Sequence, residues 1–270
     1  MNFNKLMGAV TAASIAFASV GIHAAESLSP IPKIANEWSF ELTPYVWLPQ
    51  VSSTLNYKDQ YVNTANVSMN DIISNLKSGA MIAGEARYGK WGIMADVVSS
   101  TLQKTGSFSV SPAPGSSFRI ADKATIQQTI LTGAATYNLL NNSDATVDGL
   151  VGVRWIGLTA TLNLSDGGLK ASDSQSMNTV DPIAGFKGRY RIANSTWYIP
   201  FYADIGAGGG TTNMTWQAMA GVGKTIEKWI DVSLVYRGLY YDMDSSKTNG
   251  QGLLQKTTFQ GPQLSATFRF

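Results

Sequence analysis

The stretch QKTTFQGPQLSATFRF, from Gln255 to Phe270, decides the fold. From Gln263 onward, two kinds of residue alternate. The apolar positions are Leu264, Ala266, Phe268 and Phe270, and the polar positions are Gln263, Ser265, Thr267 and Arg269. This period of two is typical of a β-strand with one apolar and one polar face. We therefore interpret the end of the chain as a strand that separates two unlike environments.

Nine earlier segments also have the length and composition of strands. We predict these strands at 38–47, 79–88, 91–103, 124–139, 145–164, 177–192, 196–208, 214–226 and 229–242. Residues 50–78 are predicted to form a long polar loop, with one helical turn at Asn70–Leu76 that is capped by Asn70. The terminal strand brings the total to ten, with eight or twelve as alternatives, in an all-β fold.

The connections between these strands alternate between long and short. The loops after strands 1, 3, 5 and 9 are long, and they include 104–122, 165–176 and 243–254, whereas the turns after strands 2, 4, 6 and 8 are short. Short periplasmic turns and longer extracellular loops distinguish bacterial outer-membrane barrels. We therefore predict a closed antiparallel up-and-down transmembrane β-barrel, because open strand edges are very costly in lipid.

Tryptophan positions agree with this interpretation. Four tryptophans open strands that rise from the short turns: Trp38, Trp91, Trp197 and Trp229. Trp47 and Trp216 are predicted to lie near the opposite interface, since Trp is enriched where a bilayer meets water. Strict alternation would turn Trp47 and Trp229 inward, so the predicted aromatic belt is not fully regular.

Charged residues recur at alternate positions of the predicted strands, with apolar residues between them. The polar face is predicted to point into the barrel, and the apolar face to point towards lipid. The predicted lumen charges are Glu41, Glu85, Arg87, Asp96, Arg154, Lys187, Arg189, Arg191, Asp204, Asp231, Arg237 and Arg269. Because both signs occur in similar number, we expect a salt-bridged lumen. The arginines at 87, 154, 189 and 237 are expected to pair with the acids at 85, 96, 204 and 231.

Composition narrows the classes of function. Charged residues make up 14% of the chain, against about 25% in ordinary soluble domains. The net charge of +2, without a basic cluster, argues against a nucleic-acid partner. The chain has no Cys, which excludes disulfides and Cys-ligated metals. We predict neither a metal site nor a cofactor.

Residues 1–25 have the pattern of a secretory signal peptide. Lys5 supplies a positive start, Leu6–Ile22 is apolar and Ala-rich, and cleavage is predicted after Ala24 or Ala25. The alternative is a membrane anchor, but this stretch is shorter than the roughly 20 strongly apolar residues of a spanning helix. The barrel, residues 26–270, would be exported through the periplasm, and it would lack the single His of the chain, at position 23.

Three segments carry a resemblance to a known group. They are TPYVW at Thr43–Trp47, the block Thr215–Tyr241, and GPQLSATFRF at Gly261–Phe270. The chain resembles small Gram-negative outer-membrane β-barrels of the opacity-protein and OmpW-like type. The resemblance implies an integral outer-membrane protein in contact with membrane lipid and lipopolysaccharide. It also implies recognition by the barrel-assembly machinery through the terminal strand, which ends in Phe270.

The residues offer little for catalysis. Barrel enzymes that resemble Ser-His hydrolases or Asp-His proteases need a His as general base, and the predicted mature chain has none. Two carboxylate pairs remain as alternatives: Glu85 with Asp96, and Asp204 with Asp231. We expect each acid to pair with an arginine instead. We also interpret Gly206–Gly210 as a hairpin tip rather than a phosphate loop, and Asp242–Asp244 as solvated carboxylates rather than calcium ligands.

The sequence favours a non-enzymatic integral outer-membrane barrel, acting as a narrow pore or as a structural surface protein. Ten strands lie between eight-stranded barrels, which side chains fill, and sixteen-stranded porins, which leave a channel. One alternative is a carboxylate-dependent barrel enzyme that acts on lipid. Another is a surface adhesion or receptor module that acts through its loops, although the predicted loops are short for that role.

Overall fold

The computed structural model describes residues 28–57, 60–113, 116–166, 169–208, 212–244 and 253–270. The predicted signal peptide lies outside the described residues. Within them, the elements in chain order are β1 (Trp38–Trp47), β2 (Gln50–Tyr57), β3 (Gln60–Val67), α1 (Met69–Asn75), β4 (Leu76–Tyr88), β5 (Trp91–Ala113), β6 (Ser116–Asn141), β7 (Ala145–Asp166), β8 (Leu169–Arg191), β9 (Trp197–Gly206), β10 (Thr212–Glu227), β11 (Ile230–Asp244) and β12 (Leu253–Arg269). No helix of this part is long and apolar enough to cross a membrane.

Ten strands of the described chain form a closed antiparallel ring. Its order is β1, β4, β5, β6, β7, β8, β9, β10, β11, β12 and back to β1. The ring closes where β1 pairs with β12, from Glu41 opposite Arg269 to Trp47 opposite Gln263. The predicted ten-stranded up-and-down barrel is confirmed, and the alternatives of eight and twelve strands are wrong.

The first strand of the ring is interrupted at residues 48–49. Below the interruption, β1 pairs with β4 and β12, and above it β2 continues along β12, with Gln50 opposite Gln260. β3 pairs with β2 and lies outside the ring. The prediction of a long polar loop at 50–78 is therefore wrong for β2, β3 and the start of β4, whereas the helical turn predicted within it is present as α1.

The predicted cap of the short helix is also wrong. Helix α1 begins at Met69, and its N-cap is Ser68 rather than Asn70. The Ser68 hydroxyl accepts a hydrogen bond from the Asp71 amide, and the Asp71 carboxylate accepts one from the Ser68 amide, both at 3.2 Å. This reciprocal capping box satisfies two N–H groups at the start of the helix.

The predicted loops at 104–122 and 165–176 are wrong as well. β5 and β6 stay paired as far as Ala113 opposite Ser116, and β7 and β8 as far as Asp166 opposite Leu169. These extensions are polar, and Thr–Ser hydrogen bonds join β7 to β8, as between Thr159 and Ser176 at 3.0 Å. Their Ser, Asp, Gly and Pro residues are typical of loops and turns, which is why the sequence predicted loops here. Parts of the 206–210 tip and the 243–254 loop lie outside the described residues.

The outer surface of the ring is apolar. Large side chains on this face are exposed, including Ile93, Val151, Ile205, Leu234 and Leu264. The short turns, at 89–90, 142–144, 192–196 and 228–229, mark one end of the barrel, here called the turn end. The other end is called the hairpin end. An apolar outer face around a polar interior is the arrangement of a transmembrane barrel.

Aromatic side chains surround the turn end on the outside. This turn-end girdle consists of Trp38, Tyr88, Trp91, Tyr137, Trp197 and Trp229. Towards the hairpin end, Trp216 stacks on Tyr240 with ring centroids 6.1 Å apart. On β11, Ile230 and Tyr240 are ten residues apart, which is about 33 Å along the strand. At the usual strand tilt this corresponds to about 25 Å across a bilayer, the height of an apolar band.

Of the two tryptophans that strict alternation turns inward, Trp47 and Trp229, only Trp47 departs from the predicted belt. Trp47 was expected near the interface opposite the short turns, but its side chain points inward and is 2% exposed. Trp229 lies in the turn between β10 and β11 and is exposed, so strict alternation does not apply to it. The indole of Trp47 therefore belongs to the interior of the barrel rather than to its lipid-facing surface.

Candidate functional site: the charged lumen

Ion pairs cross the interior of the barrel between strands that are not neighbours. Arg237 on β11 binds Asp96 on β5, and Lys187 on β8 binds Glu85 on β4. Only the inside of a closed ring allows such contacts. We call these paired charges the lumen network. The structure brings into it Glu41, Glu85, Arg87, Asp96, Asp148, Arg154, Lys187, Arg189, Asp204, Asp231, Arg237 and Arg269.

Arg154 is the most deeply buried cation of the network, with an exposed fraction of 0%. Its guanidinium forks onto Asp204, with Nη1–Oδ1 at 3.0 Å and Nη2–Oδ2 at 2.5 Å. Thr132 and Thr215 accept further hydrogen bonds from it, and Tyr202 donates to Asp204 at 2.5 Å. A fork of this kind compensates the desolvation of both charges better than a single contact does.

Arg237 forms a second buried pair at about the same depth. Its Nη2 donates to Asp96 at 2.7 Å and to Gln217 at 2.8 Å. The Tyr45 hydroxyl donates to Asp96 at 2.5 Å and accepts from Arg237 Nη1 at 3.0 Å. The guanidinium carbon lies 4.7 Å from the centre of the Trp47 ring. We call the two pairs, Arg154–Asp204 and Arg237–Asp96, the central layer.

Nearer the turn end lies a layer of shared ion pairs, here called the turn-side layer. In its first cluster, Glu85 binds both Lys187 and Arg87, and Arg87 also binds Asp148 at 2.5 Å. Asn138 donates to Asp148 at 2.8 Å. Each acid here therefore contacts at least one cation, and the cluster joins β4, β6, β7 and β8.

The second cluster of the turn-side layer joins β1, β8, β11 and β12. Arg189 binds Asp231 at 2.7 Å and Glu41 at 3.3 Å. Arg269 binds the same two acids, with 3.1 Å to Glu41. The two arginines and two carboxylates form a closed ring of contacts. Since β1 and β12 are the strands that close the barrel, this cluster also joins the two ends of the sheet.

Three lumen residues differ from the prediction. Arg191 was expected in the network, but at the end of β8 it donates to the carbonyls of Ser195 and Asn194, each at 2.8 Å. Asp148 and Asp181 are buried inside the barrel and were missed. Asp148 lies six residues from Arg154 on β7, and Asp181 lies six residues from Lys187 on β8. Residues an even number apart share a strand face, so alternation could have identified both.

Towards the hairpin end, the lumen is filled by apolar side chains. This apolar plug consists of Tyr45, Trp47, Val98, Ile130, Ile156, Leu239, Tyr241, Met243 and Phe259. No sequence pattern predicted it, because apolar residues on the inner face interrupt the alternation of polar and apolar positions. The central layer thus lies between an apolar plug on one side and a charged region on the other.

A cavity of about 210 Å³ lies on the turn side of the central layer. Glu41, Asp96 and Arg237 are among its wall residues, and so are Pro32 and Lys33 from the segment that precedes β1. Buried donors on its wall lack partners within the described chain, namely Arg87 Nη1 and Arg237 Nε. A polar cavity larger than one water molecule, with unpaired donors, suits ordered water.

The geometry offers no catalytic pair among the acids considered. Glu85 and Asp96 are bound to different cations, and the same is true of Asp204 and Asp231. A general base must instead be free to accept a proton from a substrate within hydrogen-bond reach. Within the described residues, no group of three His, Cys, Asp or Glu side chains is arranged to hold a metal.

Comparisons with known proteins find distant structural similarities only. No family model and no curated protein matches the chain. Among solved structures, the chain is similar to the attachment invasion locus protein Ail of Yersinia pestis, with 13% identity over 87% of this chain and 100% of that one, and a TM-score of 0.35. It is also similar to the translocator domain of the autotransporter NalP of Neisseria meningitidis, with 12% identity, coverages of 86% and 88%, and a TM-score of 0.40.

A third similar structure is the transport unit of the autotransporter AIDA-I of Escherichia coli. Its identity is 8%, the coverages are 87% and 89%, and the TM-score is 0.39. At such low identities and TM-scores, these similarities carry no conclusion about activity, ligand or partner.

Proposed function

We propose that the protein is a non-enzymatic integral outer-membrane barrel with a closed lumen, acting as a structural surface protein rather than as an open pore. The observation that carries this proposal is the burial of the central layer, where Arg154 is 0% and Arg237 2% exposed. An arginine in a water-filled channel would keep its hydration, whereas these two exchange water for a carboxylate and several hydroxyl or amide acceptors. The apolar plug above them adds a barrier to ions.

Conductance across a planar bilayer tests the proposal. We expect no steady conductance from the purified protein. The double variant Trp47→Ala with Arg237→Ala, which removes one side chain of the apolar plug and one of the central layer, should show stepwise channel openings. The matched control is Trp38→Ala, whose side chain lies on the outer face and is 62% exposed. Steady ion-selective currents from the unaltered protein would instead favour the narrow-pore alternative.

Location in the outer membrane is supported by the apolar outer face and by the aromatic girdle at the turn end. Membrane lipid and lipopolysaccharide are the proposed contacts of this face. Cell fractionation should recover the protein in the outer membrane, with a gel mobility that changes on heating. Recovery as a soluble periplasmic protein would refute this part of the proposal.

Recognition by the barrel-assembly machinery through the terminal strand is a further proposal. Phe270 is 71% exposed, its amide donates to the Phe40 carbonyl at 3.1 Å, and its ring stacks on that of Phe40. A partner could therefore contact the Phe270 ring at the outer edge of the seam. Phe270→Ala should lower the amount of folded protein in the outer membrane, whereas Phe186→Ala, on the outer face of β8, should not.

A second candidate function is adhesion or reception at the surface, and one observation favours it. β5 to β8 continue as paired strands well past the aromatic residues nearest the hairpin end. This polar sheet is a larger surface than the predicted loops offered. Shortening the β7–β8 hairpin should abolish binding of the protein to host or abiotic surfaces if this function is real, while leaving the folded barrel intact.

A further inference from the structure

The segment that precedes β1 lies across the turn end of the barrel. Ile31 is 6% exposed, and Pro30 beside it is also buried. Pro32 and Lys33 form part of the cavity wall, together with lumen residues such as Asp148. The segment therefore forms part of the cavity wall at this end.

Hydrogen bonds from two other parts of the described chain hold this segment. Asn141 Nδ2 donates to the Pro32 carbonyl, and the Gly89 amide donates to the Ala35 carbonyl, each at 3.0 Å. Two of its residues are prolines, which have no N–H to donate. It belongs to none of the β-ladders of the described chain. A segment outside the β-ladders opens at lower free energy than the strands around it.

From this geometry, we propose that residues 29–33 form a removable cover of the turn-end mouth, which controls the access of small solutes to the cavity. We call these residues the turn-end cover. When the turn-end cover is in place, it closes the cavity at one end and the central layer closes it at the other. When the turn-end cover moves away, the cavity becomes a half-channel that is open only at the turn end. Ile31 is the apolar anchor of the turn-end cover.

The chain has no Cys, so single cysteines report access without background. Ser233 lines the cavity and gives the reporter Ser233→Cys. Its rate of modification by a small charged methanethiosulfonate reagent is measured on the folded full-length barrel in detergent. We expect slow modification in the parent and a rate about 10- to 100-fold higher after Ile31→Ser, the range set by the loss of one buried aliphatic side chain.

Three controls make the result specific. Ile73→Ser removes an isoleucine of α1, which is exposed, and should leave the Ser233→Cys rate unchanged. Ser143→Cys, in the exposed β6–β7 turn, should react at one rate in all backgrounds. Met243→Cys, in the apolar plug beyond the central layer, should stay slow after Ile31→Ser.

Each other outcome would overturn the proposal. Rapid modification of Ser233→Cys in the parent means that the mouth is already open. A slow rate that Ile31→Ser does not change means that the segment controls nothing. Faster modification of Met243→Cys in parallel means that the whole barrel has loosened rather than residues 29–33 alone.

Discussion

Arg154 lies directly opposite Asp181 on the neighbouring strand, yet its guanidinium binds Asp204, one strand further along the ring. Asp181 is fully buried, and its Oδ2 atom has no hydrogen-bond partner within the described chain. Its other oxygen accepts a long hydrogen bond from Thr179, at 3.4 Å. One buried arginine thus has two adjacent carboxylates and binds only one of them.

Removing Asp204 should strongly destabilise the barrel. Asp204→Ala leaves Arg154 as a buried charge without its partner, which costs about 3–5 kcal/mol. Adding Arg154→Met should recover part of that loss. The free energy of unfolding in urea, followed by gel mobility, measures both effects. Asp144→Ala, in an exposed turn, is the control and should change stability by less than about 0.5 kcal/mol. A small effect of Asp204→Ala that stays small when Asp181→Asn is added would indicate that water reaches the central layer.

Asp181 should act as a reserve partner for Arg154. Asp181→Asn alone should be nearly neutral, because it removes a carboxylate oxygen that has no partner. After Asp204→Ala, the same change should cost more, because Arg154 then depends on Asp181. The double-mutant cycle should give a coupling of about 0.5–3 kcal/mol. Additive effects would show that Arg154 cannot turn towards Asp181.

The two tryptophans at the ends of β1 should differ sharply. Trp47→Ala empties part of the apolar plug and removes the ring beside Arg237, at a cost of about 3–5 kcal/mol. Trp38→Ala alters an exposed ring of the girdle and should cost clearly less. Urea unfolding of both variants in the same lipid tests this order, and equal costs would argue against a packed interior.

A charge on the outer face distinguishes a membrane barrel from a soluble one. Val151 is 63% exposed on the outer face of β7. In a bilayer, Val151→Arg should cost about 2–4 kcal/mol if that position lies near the midplane. Ser143→Arg, in the turn outside the apolar band, should be nearly neutral. If Val151→Arg were also neutral in lipid vesicles, the outer face would not be in contact with lipid.

The cap of α1 should make that helix sensitive to acid. Hydrogen bonds from the Ser68 hydroxyl and amide hold the pKa of Asp71 below its ordinary value. Because the folded pKa is lowered, the cap stabilises the helix above the ordinary aspartate pKa of about 4. This stabilisation is lost as the pH falls through the lowered pKa.

Hydrogen exchange of the Ile72 amide, which donates to the Ser68 carbonyl at 3.1 Å, reports this change. Protection should fall in acid in the parent protein, and it should be low and independent of pH in Asp71→Asn. Equal protection of the two proteins at neutral pH would show that the carboxylate does not cap the helix.

The barrel and its inward charges were predictable because both follow from local alternation. The alternation of polar and apolar positions alone assigns residues such as Glu41 and Arg237 to the inner face. This assignment does not require knowledge of their distant partners. The partners themselves depend on which strands face each other across the ring, so the Arg237–Asp96 contact could not be derived from one sequence. The hairpin extensions were missed because their Ser, Asp, Gly and Pro residues are typical of loops. The apolar plug was missed because apolar residues on the inner face interrupt the alternation.

The position of Arg191 illustrates a further limit. Alternation places Arg191 on the same strand face as Lys187 and Arg189. However, the chain turns soon after it, at Ala193 and Asn194, which have positive φ angles of 45° and 54°. Backbone carbonyls that the turn leaves unpaired are closer to the guanidinium than any lumen acid. Alternation predicts on which face of a strand a side chain lies. At the end of a strand, the geometry of the following turn determines which groups that side chain binds.

The seam between β1 and β12 has a consequence for how the barrel assembles. Arg269 binds Glu41, which lies 228 residues earlier in the chain, whereas the ladders from β4 to β12 join strands that follow one another directly. Local hairpins form readily, but contacts between distant residues carry a larger entropic cost and slow folding. We therefore expect this seam to form last. Until it does, the nascent sheet has two unpaired borders in lipid, so the closing pair sets the time during which the chain is most vulnerable to misassembly.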